Sequence, residues 1–529
     1  MNKTYDTVIG LEIHAELSTQ TKVFCTCSAE FGGDPNTHIC PVCTGQPGAL
    51  PIINRAAVEY AVRAGLAFGC DINRYSRFDR KNYFYPDLPK AYQISQLDLP
   101  LCINGKVELS TGTTVRINRI HLEEDAGKLL HDDYHGQSWA DYNRCSVPLI
   151  EIVTEPDMKS PEEAAEFVSK VGLYLKYLNV CDAKMQEGSI RADVNISIKE
   201  QGSDVLGERA EIKNLNSFRA IQRAIEYEVE RQTEIVNGGG RVEQETRRFD
   251  DMTGTTSSMR SKENANDYRY FPEPDVLAIT FTEDDIEGIR AEIPLLPHQR
   301  AEKYVNEYHL TEEDARVLTL EKYISDFYDE TVSVYPEYKS VSNMLQTEIL
   351  RRVKDSDSEE IPFSAADFAK TVEMADKNTV NRNDAKTIIR IMFEEGGDPT
   401  EIAKKNGFIV VEDTNAIAEV VDRLFEERPD LIEDYKNGKT NVFGFFMGQA
   451  NRALKGKATP MSVKAYLEKK FAELETAIRG RQMKKIDEID KNLAVKPIAE
   501  RDGMRFFDVC SELFGIYGVT HDTEFQRLP

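Results

Sequence analysis

Two stretches of the chain alternate apolar and polar residues with a period of two, and this pattern constrains the fold more than any other feature of the sequence. In "TVIGLEIHAEL" the polar positions are Glu12, His14 and Glu16, and in "GSIRADVNISI" they include Arg191 and Asp193. A period of two places apolar side chains on one face of a strand and polar side chains on the other. The sequence therefore predicts half-buried strands whose polar faces carry acids, a histidine and a cation.

Further acids lie in two neighbouring strand-like stretches. "HLEEDAGK" contains His121, Glu123, Glu124 and Asp125, and "PLIEIVTEPD" places Glu151 among apolar residues. If these strands share one sheet, their carboxylates would repel one another unless a cation lay between them. Carboxylate oxygens with one imidazole suit Mg²⁺. For each strand taken alone, a solvated polar face is the alternative interpretation.

Four of the nine cysteines lie close together in "VFCTCSAEFGGDPNTHICPVC". They are Cys25, Cys27, Cys40 and Cys43, in the order C-x-C and C-x-x-C. The N-terminal stretch lacks the apolar run of a secretory signal and no apolar run is long enough to span a membrane, so we expect a cytoplasmic protein, where disulfides are rare. Four thiolates surround Zn²⁺ without leaving an open position, so the spacing predicts a structural zinc site, with free thiols as the alternative.

Cations and aromatic rings interleave in "RFDRKNYFYPDLPKAYQISQ". Lys81 and Lys90 lie close to Tyr83 and Tyr92, and two prolines stiffen the segment. Such a surface suits a flat ring and phosphate groups. An aromatic mini-core with solvated charges explains the composition equally well. The sequence contains no Walker A loop that would bind phosphates instead.

Eight motifs in a fixed order resemble the B subunit of the bacterial aspartyl/glutamyl-tRNA(Asn/Gln) amidotransferase. They are "VIGLEIH", "RKNYFYPDLPKAYQISQ", "HLEEDAGK", "PLIEIVTEPD", "GSIRADVNIS", "EIKNLNSF", "QETRRFD" and "DYRYFPEPD". The resemblance runs from about residue 5 to residue 470.

A chain of 529 residues exceeds what one hydrophobic core normally serves, so several domains are expected. The resemblance implies an α+β protein: a β-rich cradle with a kinase-like catalytic domain, then an all-helical domain and a small helical tail. The corresponding boundaries are 1–294 for the cradle with its zinc knuckle at 25–43, 295–405 for the helical domain and 406–471 for the tail. Residues 472–529 form a C-terminal extension beyond the usual end of the family.

The resemblance also implies a reaction. ATP phosphorylates the side-chain carboxylate of misacylated Glu-tRNA(Gln), Asp-tRNA(Asn) or both, and ammonia then displaces the phosphate to give the amide. By resemblance, the Mg²⁺ ligands are Glu12, His14, Glu124 and Glu151, with Glu123 as the alternative to Glu124. The residues expected to contact ATP or substrate are Lys81, Tyr83, Lys90, Tyr92, Arg191, Asp193, Asn195, Lys213 and Asn214.

The ammonia is expected to come from a partner. A glutaminase needs a Cys–His pair or a Ser–Ser–Lys arrangement, and neither is evident in the sequence. The resemblance implies two partners, an amidase-type A subunit that hydrolyses glutamine and a small C subunit. A free-standing ligase that uses ammonium from solution, and a non-catalytic tRNA-binding scaffold, are the rival interpretations.

The net charge of −25 argues against nucleic-acid binding over the whole surface, but a local basic patch suffices for phosphate contacts. "NRALKGKATP" provides Arg452, Lys455 and Lys457. By resemblance this run belongs to a tail that contacts tRNA, whereas as a lone charge run it would be a solvated helix face.

Two positions depart from the family pattern. Ala91 stands where glycine is frequent in "PKGYQ", and Ser146 in "NRCSVPL" replaces a common glycine. We expect the first change to be mild and the second to alter a turn near Glu151.

Overall fold

The computed structural model describes residues 4–132, 134–261, 267–356, 360–409, 414–436, 439, 441–454, 458 and 460–495. The chain divides into two compact units, Met1–Asp326 and Phe327–Pro529. Two residues of the predicted tRNA-contacting run, Lys455 and Lys457, lie outside the described residues.

A nine-stranded sheet forms the centre of the first unit. The strands of this unit are β1 (Tyr5–Glu16), β2 (Asp71–Ile72), β3 (Tyr75–Ser76), β4 (Asp79–Asn82), β5 (Tyr92–Ser95), β6 (Cys102–Glu108), β7 (Thr114–Glu124), β8 (Lys128–Asp132), β9 (Gln137–Asp141), β10 (Pro148–Thr154), β11 (Ile190–Glu200), β12 (Ala210–Leu215), β13 (Glu245–Asp250), β14 (Thr255–Ser261), β15 (Phe271–Pro272) and β16 (Ile279–Thr280). The order in the large sheet is β14-β13-β12-β11-β1-β10-β7-β6-β2. Its neighbours run antiparallel except β12 and β13, which are parallel.

Helices cover one face of this sheet. The helices that begin in the first unit are α1 (Arg55–Ala67), α2 (Pro161–Tyr177), α3 (Phe218–Asn237), α4 (Glu283–Ala291), α5 (Pro297–Asn306), α6 (Glu312–Leu318) and α7 (Lys322–Val334), the last of which extends across the boundary between the units. The apolar positions of β1, including Leu11 and Ile13, belong to one buried core together with residues of α1, α2 and α3. The polar positions Glu12, His14 and Glu16 therefore face the opposite side of the sheet.

The predicted alternation is confirmed at both strands. β1 lies at the centre of the sheet and pairs with β11 along its whole length, with His14 opposite Arg191 and Glu12 opposite Asp193. On its other edge β1 pairs with β10, where His14 lies opposite Glu151. The polar residues singled out in the sequence thus come from adjacent strands of one sheet.

The second unit is helical. Its helices are α8 (Tyr338–Met344), α9 (Leu350–Ser356), α10 (Ala365–Asp376), α11 (Arg382–Glu395), α12 (Pro399–Lys405), α13 (Thr414–Glu427), α14 (Pro429–Lys436), α15 (Val442–Ala453) and α16 (Pro460–Val495), with a π-helical turn at Leu345–Ile349. Residues of α13 to α16, among them Val421, Phe446 and Leu467, form a hydrophobic cluster of their own. The predicted α+β class, with a sheet domain followed by a helical part, is confirmed. In the described part of the chain, every helix is too short or too polar to cross a membrane.

Candidate active site and metal centres

Three strands bring His14, Glu123 and Glu151 together on the polar face of the sheet. Nε2 of His14 lies 3.3 Å from Oε2 of Glu151 and 4.0 Å from Oε1 of Glu123. One ligand atom from each residue falls within 4.8 Å of the others. The strand register explains the cluster, because β10 pairs with β1 at His14 and with β7 next to Glu123.

His121 lies beside this cluster. Its Nε2 is 3.3 Å from Oε2 of Glu123 and 3.5 Å from Oε2 of Glu151, so one imidazole contacts both carboxylates. The ring is buried, and its Nδ1 has no hydrogen-bond partner among the described residues. The hydroxyl of Ser95 donates a 2.9 Å hydrogen bond to Glu123. The two carboxylates are therefore fixed by neighbours on both sides.

The electrostatics keep these carboxylates ionised. Burial alone would raise the pKa of Glu151, but the imidazoles of His121 and His14 and the ammonium of Lys81 outweigh burial and lower it well below the usual range. Burial likewise opposes ionisation of Glu123, while hydrogen bonding to His121 lowers the pKa of that carboxyl. For His14, burial would lower the pKa, but Glu151 and Glu123 together raise it. The site is a largely buried pocket in which two carboxylates lie beside the imidazoles of His14 and His121.

Glu124 lies away from this cluster. Successive residues of a strand point to opposite faces, and the carboxylate of Glu124 accepts hydrogen bonds from Lys90, Ser146 and the backbone N–H of Ile94. Of the four residues predicted to bind Mg²⁺, the structure therefore brings His14 and Glu151 together and adds Glu123, whereas Glu124 forms a buried ion pair with Lys90.

Glu12 belongs to a second acidic group, formed with Asp193 and Glu211. The ammonium of Lys213 lies 2.5 Å from Asp193 and 2.8 Å from Glu211, and Asn195 donates a 3.0 Å hydrogen bond to Glu12. Burial, followed by the charges of Glu151 and Glu211, raises the pKa of Glu12. The predicted substrate-site residues Asp193 and Asn195 thus lie on β11, the strand next to β1, and Lys213 lies on β12, one strand further from His14.

A polar cavity of about 700 Å³ opens on the same face of the sheet. Arg191, Asp193 and Asn214 line it, together with Glu16 and Arg144. Nη2 of Arg191 donates a 2.8 Å hydrogen bond to Asp125. Burial and the neighbouring Asp125 carboxylate raise the pKa of Glu16 to about 8. Asn214 is held by a 2.9 Å hydrogen bond to the carbonyl of Phe249.

Lys81 lies against two tyrosine rings and interacts with the carboxylates of the His14 cluster. The ammonium of Lys81 lies 5.8 Å from the ring centre of Tyr83 and 5.2 Å from that of Tyr268, within the range of cation–π contacts. Burial would lower the pKa of Lys81, but Glu123, Tyr270 and Glu151 raise it. Tyr92 instead stacks under Arg80, whose guanidinium carbon lies 4.3 Å from the ring centre.

The four predicted zinc-binding cysteines converge in one loop. The ligand sulfurs of Cys25, Cys27, Cys40 and Cys43 all lie within 4.8 Å of one another, and those of Cys40 and Cys43 are 3.9 Å apart. The pKa of the Cys43 thiol is lowered to about 5, first by its hydrogen bond with Cys25 and further by the backbone of Cys40 and the charge of Lys22. Four sulfurs at this spacing match the donor set of a tetrahedral zinc site.

The cysteine loop packs against the Lys90–Glu124 pair. Gly45 has φ +67°, and a Cβ built there would lie 2.3 Å from Cγ of Lys90. A side chain at this position would therefore displace Lys90. The loop that holds the four cysteines is thus in direct contact with a residue of the predicted substrate site.

Sequence reasoning missed several residues of the site. It left Glu123 as an alternative and assigned no role to His121, Glu211 or Glu16, although period-two alternation through "HLEED" places His121 and Glu123 on one face.

In the second unit, Arg452 lies exposed near the end of α15.

Comparison with known proteins gives matches over most of the chain. Residues 7–287 match a family model described as the GatB/GatE catalytic domain, and residues 326–471 match one described as the GatB domain. A relative from Caldicellulosiruptor bescii, named as the B subunit of the aspartyl/glutamyl-tRNA(Asn/Gln) amidotransferase, is 50% identical over 478 residues, which cover 89% of this chain and 100% of the relative. Proteins of the same name from Ruminiclostridium cellulolyticum and Thermoanaerobacter pseudethanolicus are 50% and 48% identical, covering 88% and 89% of this chain and 97% and 100% of the relatives.

Proposed function

Because the chain belongs to the family of the aspartyl/glutamyl-tRNA(Asn/Gln) amidotransferase B subunit, we propose that it uses ATP to activate the side-chain carboxylate of misacylated Glu-tRNA(Gln), Asp-tRNA(Asn) or both. Ammonia then converts the activated carboxylate to the amide. The observation that carries the proposal is the convergence of His14, Glu123 and Glu151 from three adjacent strands, with Lys81 beside them.

The chemistry requires activation because a carboxylate is a poor acyl donor. A carboxylate oxygen attacks the γ-phosphorus of ATP, the bond to the bridging oxygen breaks, and ADP leaves. Ammonia then attacks the carbonyl carbon of the acyl phosphate, loses a proton and expels inorganic phosphate. Such transfers depend mainly on positioning and on cations that neutralise phosphate oxygens.

The residues of the His14 cluster fit Mg²⁺. They offer two buried carboxylates and one imidazole with ligand atoms within 4.8 Å, and His121 and Ser95 orient the carboxylates. When bound there, Mg²⁺ would supply positive charge for the phosphate oxygens of ATP. We assign this role to His14, Glu123 and Glu151, in place of the predicted set of Glu12, His14, Glu124 and Glu151.

Three further groups of residues support the same reaction. Lys81 offers an ammonium group for a phosphate. Burial would lower its pKa, but Glu123, Tyr270 and Glu151 outweigh burial and keep it charged. Arg191, Asp193 and Asn214 line the 700 Å³ cavity and present cationic, anionic and amide groups for the aminoacyl end of a tRNA. Lys213 and Asn195 hold the acids of the neighbouring group in place.

We propose that the partners are those of the family: an amidase-type A subunit that releases ammonia from glutamine, and a small C subunit. Because aminoacyl-tRNAs are used in the cytoplasm, we expect the chain there. The four-cysteine loop binds a structural Zn²⁺, because a shell of four thiolates leaves no position for substrate.

The test is an amidation assay with the complex of this chain and its partner subunits. Misacylated tRNA, ATP and either glutamine or ammonium chloride are supplied, and amidated tRNA and ADP are measured. Glu151→Gln keeps the side-chain shape but removes charge, so it should abolish ADP formation and amidation with both nitrogen donors while tRNA binding persists. Glu162→Gln, an exposed change at the start of α2, is the matched control.

Two results would contradict the proposal. A wild-type complex that binds misacylated tRNA but forms no ADP would identify the chain as a non-catalytic scaffold. Near-normal amidation by Glu151→Gln would indicate that the His14 cluster is an ordinary polar strand face without a role in the reaction. Amidation by this chain without its glutaminase partner, using ammonium alone, would exclude the non-catalytic scaffold.

A further inference from the structure

Lys22 is a buried lysine without a carboxylate partner among the described residues. Its relative exposure is 0%, and its ammonium makes one long hydrogen bond of 3.4 Å, to the carbonyl oxygen of Tyr142. In the described part of the chain no carboxylate lies within ion-pair distance of it. An unpaired buried charge costs several kcal/mol by order of magnitude, so a counter-charge is expected nearby.

The position of Lys22 points to the cysteine loop as the source of that counter-charge. The backbone N–H of Lys22 donates a 3.0 Å hydrogen bond to the carbonyl of Cys27, and a bridge between Thr21 and Ser28 closes the base of the loop. The backbone N–H of Tyr142, whose carbonyl accepts from the ammonium, itself donates a 2.8 Å hydrogen bond to Asn36 in the same loop. Lys22 thus lies between the base of the cysteine loop and the segment around Tyr142, and that segment is hydrogen-bonded to Asn36 in the middle of the loop.

Charge explains why a cation would be buried there. A zinc ion held by four thiolates carries two net negative charges; within the cluster Cys43 is buried, and Cys25, Cys27 and Cys40 are partly buried. Burying such a centre is costly unless a cation offsets part of its charge. The ammonium of Lys22 is fully buried, its charge acts on the Cys43 thiol, and no carboxylate competes for it among the described residues.

We propose that Lys22 is the charge-compensating residue of the four-thiolate metal centre: its ammonium offsets part of the negative charge of the zinc-loaded cluster and thereby stabilises it. This inference rests on zinc binding by Cys25, Cys27, Cys40 and Cys43, which belongs to the proposed function. It assigns to Lys22 a positioning and electrostatic role toward the metal, with no contact to ATP or tRNA.

The first measurement is zinc affinity of the full chain by chelator competition. Lys22→Met keeps the length and apolar stem of the side chain but removes the charge, and we expect it to weaken zinc binding by roughly ten- to a hundredfold, the usual effect of losing a group around a metal's ligands. Lys106→Met, an exposed lysine of β6, should keep wild-type affinity. Lys22→Arg, which keeps the charge, should stay within a few-fold of wild type.

The second measurement distinguishes charge compensation from packing. Melting temperatures are recorded for the zinc-loaded and zinc-stripped proteins. We expect Lys22→Met to gain less melting temperature from added zinc than wild type does, because the negative charge of the loaded cluster then has no buried cation to offset it. Cobalt substitution, read by sulfur-to-cobalt charge-transfer absorption, shows whether four thiolates still bind the metal.

Three outcomes would overturn the proposal. Equal losses of melting temperature with and without zinc, at unchanged zinc affinity, would make Lys22 a packing residue. Failure of both Lys22→Met and Lys22→Arg to fold would show that shape rather than charge matters at this position. Wild-type zinc affinity in Lys22→Met would show that the charge is not used. If the wild-type chain itself bound no zinc, the zinc site of the proposed function would fail instead.

Discussion

At the scale of single residues, Ala91 and Ser146, where the family resemblance leads us to expect glycine, share one backbone property. Ala91 has φ +63° and Ser146 has φ +64°, both in the left-handed region that favours glycine. A Cβ in this region costs about 1 kcal/mol, which explains why a glycine would suit both positions. Ser146 has a compensating contact, because its hydroxyl hydrogen-bonds the buried carboxylate of Glu124. Ala91 has no side-chain group that could do the same.

The first prediction follows from this difference. Ala91→Gly should raise the free energy of unfolding by about 0.5 to 1 kcal/mol, since relief of the left-handed strain exceeds the extra entropy of a glycine in the unfolded chain. Urea denaturation of both proteins measures the change. Ala224→Gly, inside α3, is the matched control and should destabilise by about 1 kcal/mol or more. The same sign for both changes would contradict the strain argument.

The choice between Glu123 and Glu124 shows what the sequence can and cannot predict about single residues. The motif identifies both acids, and period two through "HLEED" groups Glu123 with His121. The partners that hold Glu124, however, come from Lys90 and Ser146, which are distant in sequence. Which of two adjacent carboxylates is free to bind a cation depends on these long-range contacts, and residue spacing alone does not contain that information.

At the scale of strands and helices, local pattern predicts the elements but not their order. The alternation in β1 and β11 was sufficient to assign their polar faces, because that property depends only on neighbouring residues. The placement of β1 between β10 and β11 depends on pairing across more than a hundred residues. This order decides which acids meet, and it explains why Glu12 joins Asp193 and Glu211 rather than His14.

Helix α3 is fastened to the sheet by a buried ion-pair network centred on Glu228. Its side chain is 0% exposed and lies 2.8 Å from Arg231 and 2.9 Å from Arg247 of β13. The hydroxyl of Thr256 in β14 donates to the same carboxylate. Burial would raise the pKa of Glu228, but Arg231, Thr256 and Arg247 outweigh it and lower the pKa. The network therefore stabilises the ionised carboxylate in the folded state.

The second prediction concerns this network and pH. Glu228→Gln should lower the free energy of unfolding by about 2 kcal/mol at neutral pH, because it removes a buried anion that Arg231 and Arg247 share, although both guanidinium groups keep Glu245 as a partner. A carboxyl whose folded pKa is depressed contributes its stability above the unfolded pKa of about 4.3 and loses it as pH falls through the folded pKa. The difference between wild type and Glu228→Gln should therefore be constant above about pH 5 and shrink below it.

Denaturation curves at several pH values measure this difference. Glu230→Gln, an exposed change on the same helix, is the control and should alter stability by less than about 0.5 kcal/mol at every pH. A difference between Glu228→Gln and wild type that does not depend on pH would mean that the carboxylate charge contributes nothing to the attachment of α3.

At the scale of the whole molecule, an acidic chain must recognise a polyanion. The net charge of −25 repels tRNA at long range, so attraction must come from local basic surface. The sequence predicts such a surface in the second unit at Arg452, Lys455 and Lys457. The structure places Arg452 exposed near the end of α15. Helix α16 begins shortly after this run and packs into the same hydrophobic cluster as α15 through Val463, Leu467 and Phe471.

The third prediction tests whether this run binds tRNA. Replacing Arg452, Lys455 and Lys457 with alanine should weaken tRNA binding and flatten its dependence on salt, with the slope of log K against log salt falling by about two to three, because fewer counterions are released. Activity should fall through a raised KM for tRNA at nearly unchanged kcat, since contacts with tRNA phosphates that do not take part in the reaction act equally on ground state and transition state. ADP formation at saturating tRNA should recover to the wild-type rate.

A matched control separates a docking surface from general loss of positive charge. Replacing Lys370, Lys377 and Lys404, three lysines that form surface ion pairs in or directly after α10 and in α12, removes the same charge from the same unit. This variant should keep both the wild-type affinity and the wild-type salt slope, because each of these ammonium groups is already paired with a carboxylate and releases few counterions. If both triple variants lost affinity equally, net charge would govern tRNA binding. If neither did, the contacts with tRNA would have to lie on the polar face of the sheet or on the partner subunits.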